Sequence, residues 1–206
     1  MYIEFLFSVL GAVAMMPIHF LSVEHLNLQE KFGKENGRRI GEVLGLISGW
    51  GFFIFWAGIW LSPQPRFLIP IFQNLSLLIP VAGLIVPFLH IVISAPFLIV
   101  GPWLAIKSVQ EMTLKVAETH RPETLLSEGS YTVVRHPQYL GGLLAHIGIS
   151  FLVSAWLSLL STPLMVALIY LLSKKEEKEL IREFGDEYRD YARRVPMLVP
   201  RLKSRH

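Results

Sequence analysis

The chain has 206 residues, of which 52% are hydrophobic and only 17% are charged. Soluble domains carry about 25% charged residues, whereas residues 67–106 and residues 136–173 here contain no Asp, Glu, Lys or Arg. Each stretch exceeds the roughly 20 apolar residues that span a bilayer, which indicates an integral membrane protein, and the absence of cysteine excludes disulfides, thiolate metal sites and a cysteine nucleophile.

The first part of the chain predicts two membrane helices. Residues 5–23 form the first span, which lacks the basic start and cleavage site of a signal peptide. A polar connection follows at residues 24–42, and residues 43–61 form the second span. Three glycines recur at four-residue spacing near its start, Gly41, Gly45 and Gly49. Such spacing lets a neighbouring helix approach closely.

The charge-free stretch 67–106 contains five prolines and allows two interpretations. If residues 67–78 lie at the membrane interface and residues 79–106 cross once, eighteen Lys and Arg fall on one side and Arg66 alone on the other. Two crossings divide the charges less unevenly. The positive-inside rule favours the first interpretation, with the N-terminus outside and the C-terminus in the cytoplasm.

The second part of the chain predicts a helical hairpin and a cytoplasmic helix. Residues 139–154 and 157–173 form the hairpin arms, and residues 174–195 form an amphipathic helix with one apolar stripe. The predicted fold is therefore an all-α integral membrane protein with about five spans, or six in the alternative. Residues 1–78 form its N-terminal membrane region and residues 79–206 its functional region.

Residues 130–142 concentrate polar side chains at a predicted membrane boundary, where such groups are costly and usually functional. Pro137 suits the first turn of a helix, and a helix N-terminus attracts an anion such as a carboxylate. Arg135 could pair with that anion, and His136 and Tyr139 offer directed hydrogen bonds. Membrane anchoring by Arg135 and Tyr139 explains the same pattern equally well.

The start of the C-terminal helix is the second candidate. A hairpin returns the chain to the membrane face that it left, so Glu176 can lie near His136 although forty residues separate them. Its carboxylate could accept hydrogen bonds from a ligand amine or hydroxyl. The alternative is a solvated helix start, since acidic residues are favoured there.

Other function classes find little support. The remaining histidines show no metal-binding spacing, which predicts no metal site. The chain has no GxGxxG dinucleotide motif. The net charge of +3 is explained by cytoplasmic Lys and Arg, so no nucleic acid is expected as a partner. No oligomeric state follows from the sequence.

The ordered motifs of the C-terminal half resemble the isoprenylcysteine carboxyl methyltransferase family and its relatives, the phospholipid methyltransferases. The motifs are Leu-Leu-Ser-Glu-Gly-Ser-Tyr from Leu125, Arg-His-Pro-Gln-Tyr-Leu-Gly from Arg135, Glu-Glu from Glu176, and Val-Pro from Val195. The resemblance covers roughly residues 90–200. It implies a membrane methyltransferase that uses S-adenosylmethionine, with the bilayer and a lipophilic acceptor as partners.

The resemblance also implies roles for individual residues. Those implied to bind the cofactor are Leu125, Leu126, Tyr131, His136, Pro137, Gln138, Tyr139 and Glu176. Glu176 and Arg135 are the catalytic candidates. The prenylcysteine enzymes carry an Arg at the position of Leu172, so a carboxylate acceptor is less expected than a thiol, an amine or another lipid. A nicotinamide-dependent membrane reductase related to sterol reductases, and a non-enzymatic lipid-binding protein, are the alternatives.

Overall fold

The structure is a computed structural model that describes residues 2–71, 75–79, 84–112 and 125–201. Helices dominate these residues, which confirms the all-α class: α1 Ile3–Ser22, α2 His25–Phe32, α3 Lys34–Leu61, α4 Phe88–Met112, α5 Pro137–Leu152, α6 Trp156–Leu160, α7 Thr162–Phe184 and α8 Asp186–Arg194. A 3₁₀ turn covers Gly129–Thr132, and two short strands are β1 Ser76–Ile79 and β2 Leu84–Pro87.

Among the described residues, three helices are long and apolar enough to cross a membrane, namely α1, α3 and α4. Three of the five predicted spans therefore correspond to helices that are long and apolar enough to cross a membrane. The helix α5 has 16 residues, fewer than the roughly 20 that a span needs. The helix α7 has 23 residues, but its second half is charged from Lys174 onward. These two helices cover most of the residues predicted as hairpin arms, and a hairpin within the membrane stays a prediction.

The stretch 67–106 differs from both interpretations of the sequence. The predicted third span begins at Phe88, because β1 and β2 pair antiparallel in front of it, with Leu77 opposite Val86. Pro80 and Pro87 cannot donate backbone hydrogen bonds, and proline breaks a helix interior. The six-span alternative is wrong for the described part of this stretch, since it holds only one helix, α4.

Two other boundaries also differ from the prediction. The polar connection 24–42 is helical, formed by α2 and the first turns of α3. The tail does not start a new helix at residue 174, because α7 runs without a break to Phe184. Gly185 ends it with a φ of 58°, which glycine adopts without strain. The amphipathic helix is therefore split into the end of α7 and the separate α8.

Four helices meet in the apolar core. Its buried side chains come from α1, α3, α5 and α7: Met16, Trp56, Ile59, Leu143, Met165, Leu168, Ile169 and Leu172. The helix α4 packs on α5 by a close backbone approach. A Cβ at Gly101 would lie 2.8 Å from the carbonyl oxygen of Gly141, and one at Gly141 would lie 2.6 Å from that of Gly101. This contact fixes the start of α5 against α4.

A buried histidine ties α3 to α5. The indole N–H groups of Trp56 and Trp60 both donate to His146 Nδ1, at 2.9 and 2.8 Å. His146 Nε2 lies 3.1 Å from the carbonyl oxygen of Ser158, to which it donates as the neutral tautomer. Because buried polar groups need partners, this cluster sets the rotation of α3 relative to the hairpin.

Candidate active site

A pocket of about 840 Å³ lies where the corner between α1 and α2 meets residues 125–139, α7 and α8. The pocket is lined by all eight residues predicted to bind the cofactor: Leu125, Leu126, Tyr131, His136, Pro137, Gln138, Tyr139 and Glu176. Arg135 lines it too. The fold therefore brings the two candidate segments together.

The start of α5 is built by its proline. Pro137 occupies the first turn, and His136 precedes it in a non-helical conformation. The first backbone hydrogen bond described at this helix start runs from the N–H of Leu140 to the carbonyl oxygen of His136, with N to O at 3.1 Å. The N–H groups of Gln138 and Tyr139 precede that bond, so they have no acceptor within the helix. This helix start is therefore suited to an anionic ligand group.

Arg135 is held by protein groups, in contrast to the expected pairing with a ligand. Its guanidinium makes a bidentate contact with Glu177, with Nε to Oε1 at 2.7 Å and Nη2 to Oε2 at 2.9 Å. Its Nη1 donates to the carbonyl oxygens of Ala192 and Val195 at 2.8 and 2.5 Å. Because Nε, Nη1 and Nη2 all have partners, Arg135 binds α7 and the end of α8 to the motif.

His136 lies between two carboxylates. Its Nε2 is 3.2 Å from Glu177 Oε1, and its Nδ1 is 3.5 Å from Glu176 Oε2. Burial lowers the pKa of His136, but the hydrogen bonds and charges of the two glutamates outweigh it and raise that pKa above its ordinary value. Burial raises the pKa of Glu177, but His136 and Arg135 bring it below the ordinary value. The site thus favours an ionised pair.

Glu176 is the centre of a second set of contacts. The Tyr139 hydroxyl donates to its Oε1, and His19 Nε2 lies 2.9 Å from the same oxygen. The ring of Tyr139 stacks on that of His136, with centroids 5.6 Å apart. Glu176 therefore joins α7 to both α1 and α5. The predicted proximity of Glu176 to His136 is confirmed by the distance of 3.5 Å between Glu176 Oε2 and His136 Nδ1.

One wall of the pocket is acidic. Glu176, Glu179 and Glu183 all line it, and their spacing of three and four residues places them on one face of α7. Glu179 also pairs with Arg182, Nη1 to Oε2 at 3.0 Å. A ligand with a positive charge would be stabilised by this wall.

Tyr131 presents a buried donor to the pocket. Its side chain lines the pocket, and its hydroxyl has no hydrogen-bond partner among the described residues. Burial, followed by the negative charge of Glu176, raises the pKa of this phenol far above its ordinary value. It therefore stays protonated. The loop is fixed by Tyr191, whose hydroxyl donates to the carbonyl oxygen of Tyr131 at 2.7 Å. An unpaired buried donor in a pocket wall indicates a ligand acceptor.

A second cavity of about 1300 Å³ adjoins the first inside the helical bundle. Gln138 and Tyr139 line both cavities. The rest of its wall is mainly apolar or small: Met15, Gly45, Leu46, Ser48, Gly49, Trp50, Phe52, Phe53, Trp56, Ala105, Val109, Gly142, Ile169 and Leu172, together with His19. Trp50 and Phe53 are each 55% exposed, so the cavity opens sideways along α3.

The glycine spacing of α3 has two consequences. A Cβ at Gly41 would lie 3.2 Å from His25 Nδ1, so this glycine admits the neighbouring α2. The predicted close approach is therefore observed here, with a helix of the same chain. Gly45 and Gly49, in contrast, line the second cavity, where the missing side chains leave space.

Sequence reasoning missed several residues of the site. The sequence indicates Glu177 only as part of the Glu-Glu motif and does not show its pairing with Arg135 and His136. His19 and His25 received no role, because the sequence does not show that the corner between α1 and α2 folds onto α7. The one available signal was a histidine near the end of an apolar span, where ionisable groups are costly.

Comparison with known proteins gives matches in the second half of the chain. Residues 89–187 match the model of the phospholipid methyltransferase family. Methanethiol S-methyltransferase 2 of Bradyrhizobium diazoefficiens is 47% identical over 75 residues, which cover 36% of this chain and 28% of the relative. The protein-S-isoprenylcysteine O-methyltransferases of Schizosaccharomyces pombe and Homo sapiens are 30% and 34% identical over 87 and 89 residues.

These matches are partial. The two isoprenylcysteine enzymes are matched over 41% and 43% of this chain and over 36% and 30% of their own lengths. The chain thus spans about a third of the length of the curated relatives that it matches. The matched residues include the Arg135 motif, α5 and all of α7. Residues 89–187 therefore match the phospholipid methyltransferase family model, and the resemblance to the isoprenylcysteine carboxyl methyltransferases that the motifs predicted is confirmed.

Proposed function

We propose that this chain is an integral membrane methyltransferase that transfers a methyl group from S-adenosylmethionine to a lipophilic acceptor. Residues 79–206 hold the catalytic region. The observation that carries the proposal is the meeting of two chemically different cavities at Gln138 and Tyr139. A polar, acidic pocket suits a charged methyl donor, and a mainly apolar cavity suits an acceptor that partitions into the bilayer.

The polar pocket fits S-adenosylmethionine group by group. This cofactor, when bound, supplies an activated methyl group on a positively charged sulfonium. The carboxylates of Glu176, Glu179 and Glu183 would balance that charge and the amino group. The helix start at Gln138 and Tyr139 would receive the carboxylate.

The remaining predicted residues fit the adenosine portion. Leu125 and Leu126 give the pocket an apolar side. The buried hydroxyl of Tyr131 lacks a protein partner, and a ligand acceptor would satisfy it. An unsatisfied buried donor costs about 1–3 kcal/mol, so the pocket gains stability when such a ligand binds.

Arg135 and Glu177 act as positioning residues in this proposal, which revises the catalytic role expected for Arg135. Their bidentate pair holds α7 against the start of α5, and His136 completes the contact. The neighbouring Glu176 lines the polar pocket and accepts a hydrogen bond from Tyr139. The reaction needs mainly alignment of the acceptor with the methyl group, and fixed geometry supplies that alignment.

The mainly apolar cavity would hold the acceptor. The exposed Trp50 and Phe53 place its opening along α3. The names of these relatives describe enzymes acting on methanethiol and on protein isoprenylcysteine. A small or lipophilic acceptor of this chain is consistent with both names.

The active site faces the cytoplasm in this proposal. Eighteen of the nineteen Lys and Arg lie on the side assigned to the C-terminus, as the positive-inside rule requires for a cytoplasmic face. S-adenosylmethionine is made in the cytoplasm, so the polar pocket would open to its source.

Calorimetric titration of the purified protein in detergent with S-adenosylmethionine tests the proposal. We expect binding that is lost in Glu176→Ala and His136→Ala and retained in the control Glu35→Ala, which changes an exposed residue of α3. Competition with NADPH in the same titration tests the reductase alternative. Absence of binding in the unchanged protein, or normal binding in both site variants, would refute the assignment.

A further inference from the structure

Glu111, in the last turn of α4, reaches the turn that carries Tyr131. Its Oε2 accepts a hydrogen bond from the backbone N–H of Ser130 at 2.8 Å, and the Ser130 hydroxyl donates to the same oxygen. Ser130 is 4% exposed and directly precedes Tyr131 in the chain. These two bonds therefore fix the peptide unit through which the chain enters Tyr131.

The loop makes room for Glu111 by means of a glycine. Gly129 has a φ of 57°, a left-handed conformation that residues other than glycine rarely adopt. A Cβ at this position would also overlap both carboxyl oxygens of Glu111. The backbone conformation and the available space thus agree at residue 129, as expected for a specific packed contact rather than a chance meeting of surface groups.

Tyr131 is held from its other side by α8. The Tyr191 hydroxyl donates to the carbonyl oxygen of Tyr131 at 2.7 Å. The ring of Tyr131 is 5% exposed and lines the polar pocket, and its hydroxyl has no hydrogen-bond partner among the residues that the structure describes. Because the backbone is fixed on both sides, the side chain has little freedom and the hydroxyl keeps its position in the pocket wall.

The helix α4 also positions the other half of the polar pocket. Gly101 of α4 packs against Gly141 of α5, close to the helix start that would receive the carboxylate of the donor. Met112, the last residue of α4, lines the pocket itself. Gly101 and Glu111 are separated by about 15 Å along the axis, from the helical rise per residue. One helix therefore sets the distance between the start of α5 and the turn of Tyr131.

We propose that Glu111 is a positioning residue for the methyl donor, and that through Ser130 it directs the Tyr131 hydroxyl towards an acceptor atom of bound S-adenosylmethionine. This inference rests on the proposed methyltransferase function. Glu111 itself does not line the polar pocket, so it acts through geometry and not by contact with the donor. Its effect on donor binding should therefore require the Tyr131 hydroxyl, and should not require a charge at residue 111.

Calorimetric titration of the full chain in detergent with S-adenosylmethionine tests this role. In Glu111→Ala the Kd should rise about two- to tenfold, as expected for Tyr131→Phe, because both changes remove the same hydrogen bond to the donor. Glu111→Gln is the conservative variant. Its amide oxygen can accept both bonds from Ser130, so its Kd should stay close to that of the unchanged protein although residue 111 no longer carries a charge.

The combination of Glu111→Ala with Tyr131→Phe separates positioning from a general structural role. If both changes act on one hydrogen bond, the Kd of the double variant should lie within about twofold of that of Tyr131→Phe alone, whereas independent effects multiply. Lys107→Ala is the matched control. It removes the other contact of Glu111, an exposed ion pair with Nζ to Oε1 at 3.9 Å, and exposed pairs contribute little. Its Kd should be unchanged.

Ser130→Ala provides a milder change, which decides the question if Glu111→Ala does not fold. It removes the hydroxyl bond to Glu111 and keeps the backbone bond. Its Kd should lie between those of the unchanged protein and Tyr131→Phe, and its effect should also disappear when Tyr131→Phe is present. Thermal unfolding identifies the variants that fold.

The outcomes are distinct. An unchanged Kd in Glu111→Ala and Ser130→Ala, an equal loss in Glu111→Gln, or effects that multiply with that of Tyr131→Phe overturn the positioning role. A loss in Lys107→Ala as large as that in Glu111→Ala overturns it as well. Failure of the unchanged protein to bind S-adenosylmethionine overturns the proposed function itself, and is recognised before any variant is compared.

Discussion

Removal of the hydroxyl of Tyr131 should stabilise the protein without ligand and weaken its binding of S-adenosylmethionine. This hydroxyl is buried and has no partner among the described residues. Burying such a donor costs about 1–3 kcal/mol. Tyr131→Phe keeps the ring, which is 5% exposed, and removes that cost. For a chain of this length, each 1 kcal/mol corresponds to a rise in Tm of about 2–4 °C.

The effect on binding has the opposite sign. If the hydroxyl donates to the bound cofactor, its loss removes a hydrogen bond worth about 0.5–1.5 kcal/mol. Because 1.4 kcal/mol is a factor of ten, the Kd should rise about two- to tenfold. Thermal unfolding in detergent, followed by tryptophan fluorescence with and without ligand, measures the first effect. Calorimetry measures the second.

Tyr191→Phe is the matched control. Its hydroxyl already has a partner, the carbonyl oxygen of Tyr131 at 2.7 Å. Loss of this bond should lower the Tm, in contrast to Tyr131→Phe, because it leaves a buried acceptor unsatisfied. The reasoning fails if Tyr131→Phe lowers the Tm as much as Tyr191→Phe, or if it raises the Tm and leaves the Kd unchanged.

Three further predictions concern the cavity, the membrane core and the pH response. Gly49→Leu should fill the apolar cavity, so that a lipophilic probe such as octanethiol no longer quenches the fluorescence of Trp50 and Trp56, while calorimetry still detects binding of S-adenosylmethionine. His146→Ala leaves the indole donors of two tryptophans without their acceptor, so unfolding should show a loss of about 2–6 kcal/mol; unchanged stability would contradict the cluster's role. His136 has a raised pKa, so its stabilisation is complete below its ordinary 6.5 and is lost as pH rises through the raised value. Glu177 has a lowered pKa, so its stabilisation is complete above its ordinary 4.5 and is lost as pH falls through the lowered value. Both contributions are complete between pH 4.5 and pH 6.5, so the Tm should be highest in that range. His136→Gln should remove the decline of the Tm on the alkaline side.

The sequence was sufficient to predict the helical class and the existence of most helices, because long charge-free stretches have few other structures available in a membrane. It failed at residues 76–87, where β1 and β2 replace the start of the predicted span. Hydropathy cannot distinguish an apolar helix from a pair of apolar strands. Only the prolines of this stretch argued against a helix. It also placed a helix start at residue 174, because the change from apolar to charged residues resembles a boundary. In the structure α7 simply continues out of the apolar region.

The site was predictable where its residues are close in sequence or belong to recurring motifs. The eight residues predicted to bind the cofactor, from Leu125 to Glu176, all line one pocket. The partners of Arg135 were not predictable, because Glu177, Ala192 and Val195 reach it only through the packing of α7 and α8. A guanidinium beside a ligand pocket and one bound to a neighbouring helix have the same sequence signal.

The two cavities differ in how far the relatives can describe them. The polar pocket is built mostly from residues inside the family match 89–187, so its chemistry follows from the shared motifs. The apolar cavity is built mostly from α1 and α3, which lie outside that match. Leu172, the position at which the resemblance implies an Arg in the prenylcysteine enzymes, belongs to the buried core and contributes no charge there. Under the proposed function, α1 and α3 of this chain would therefore select the acceptor, and His19 is the side chain through which α1 reaches Glu176.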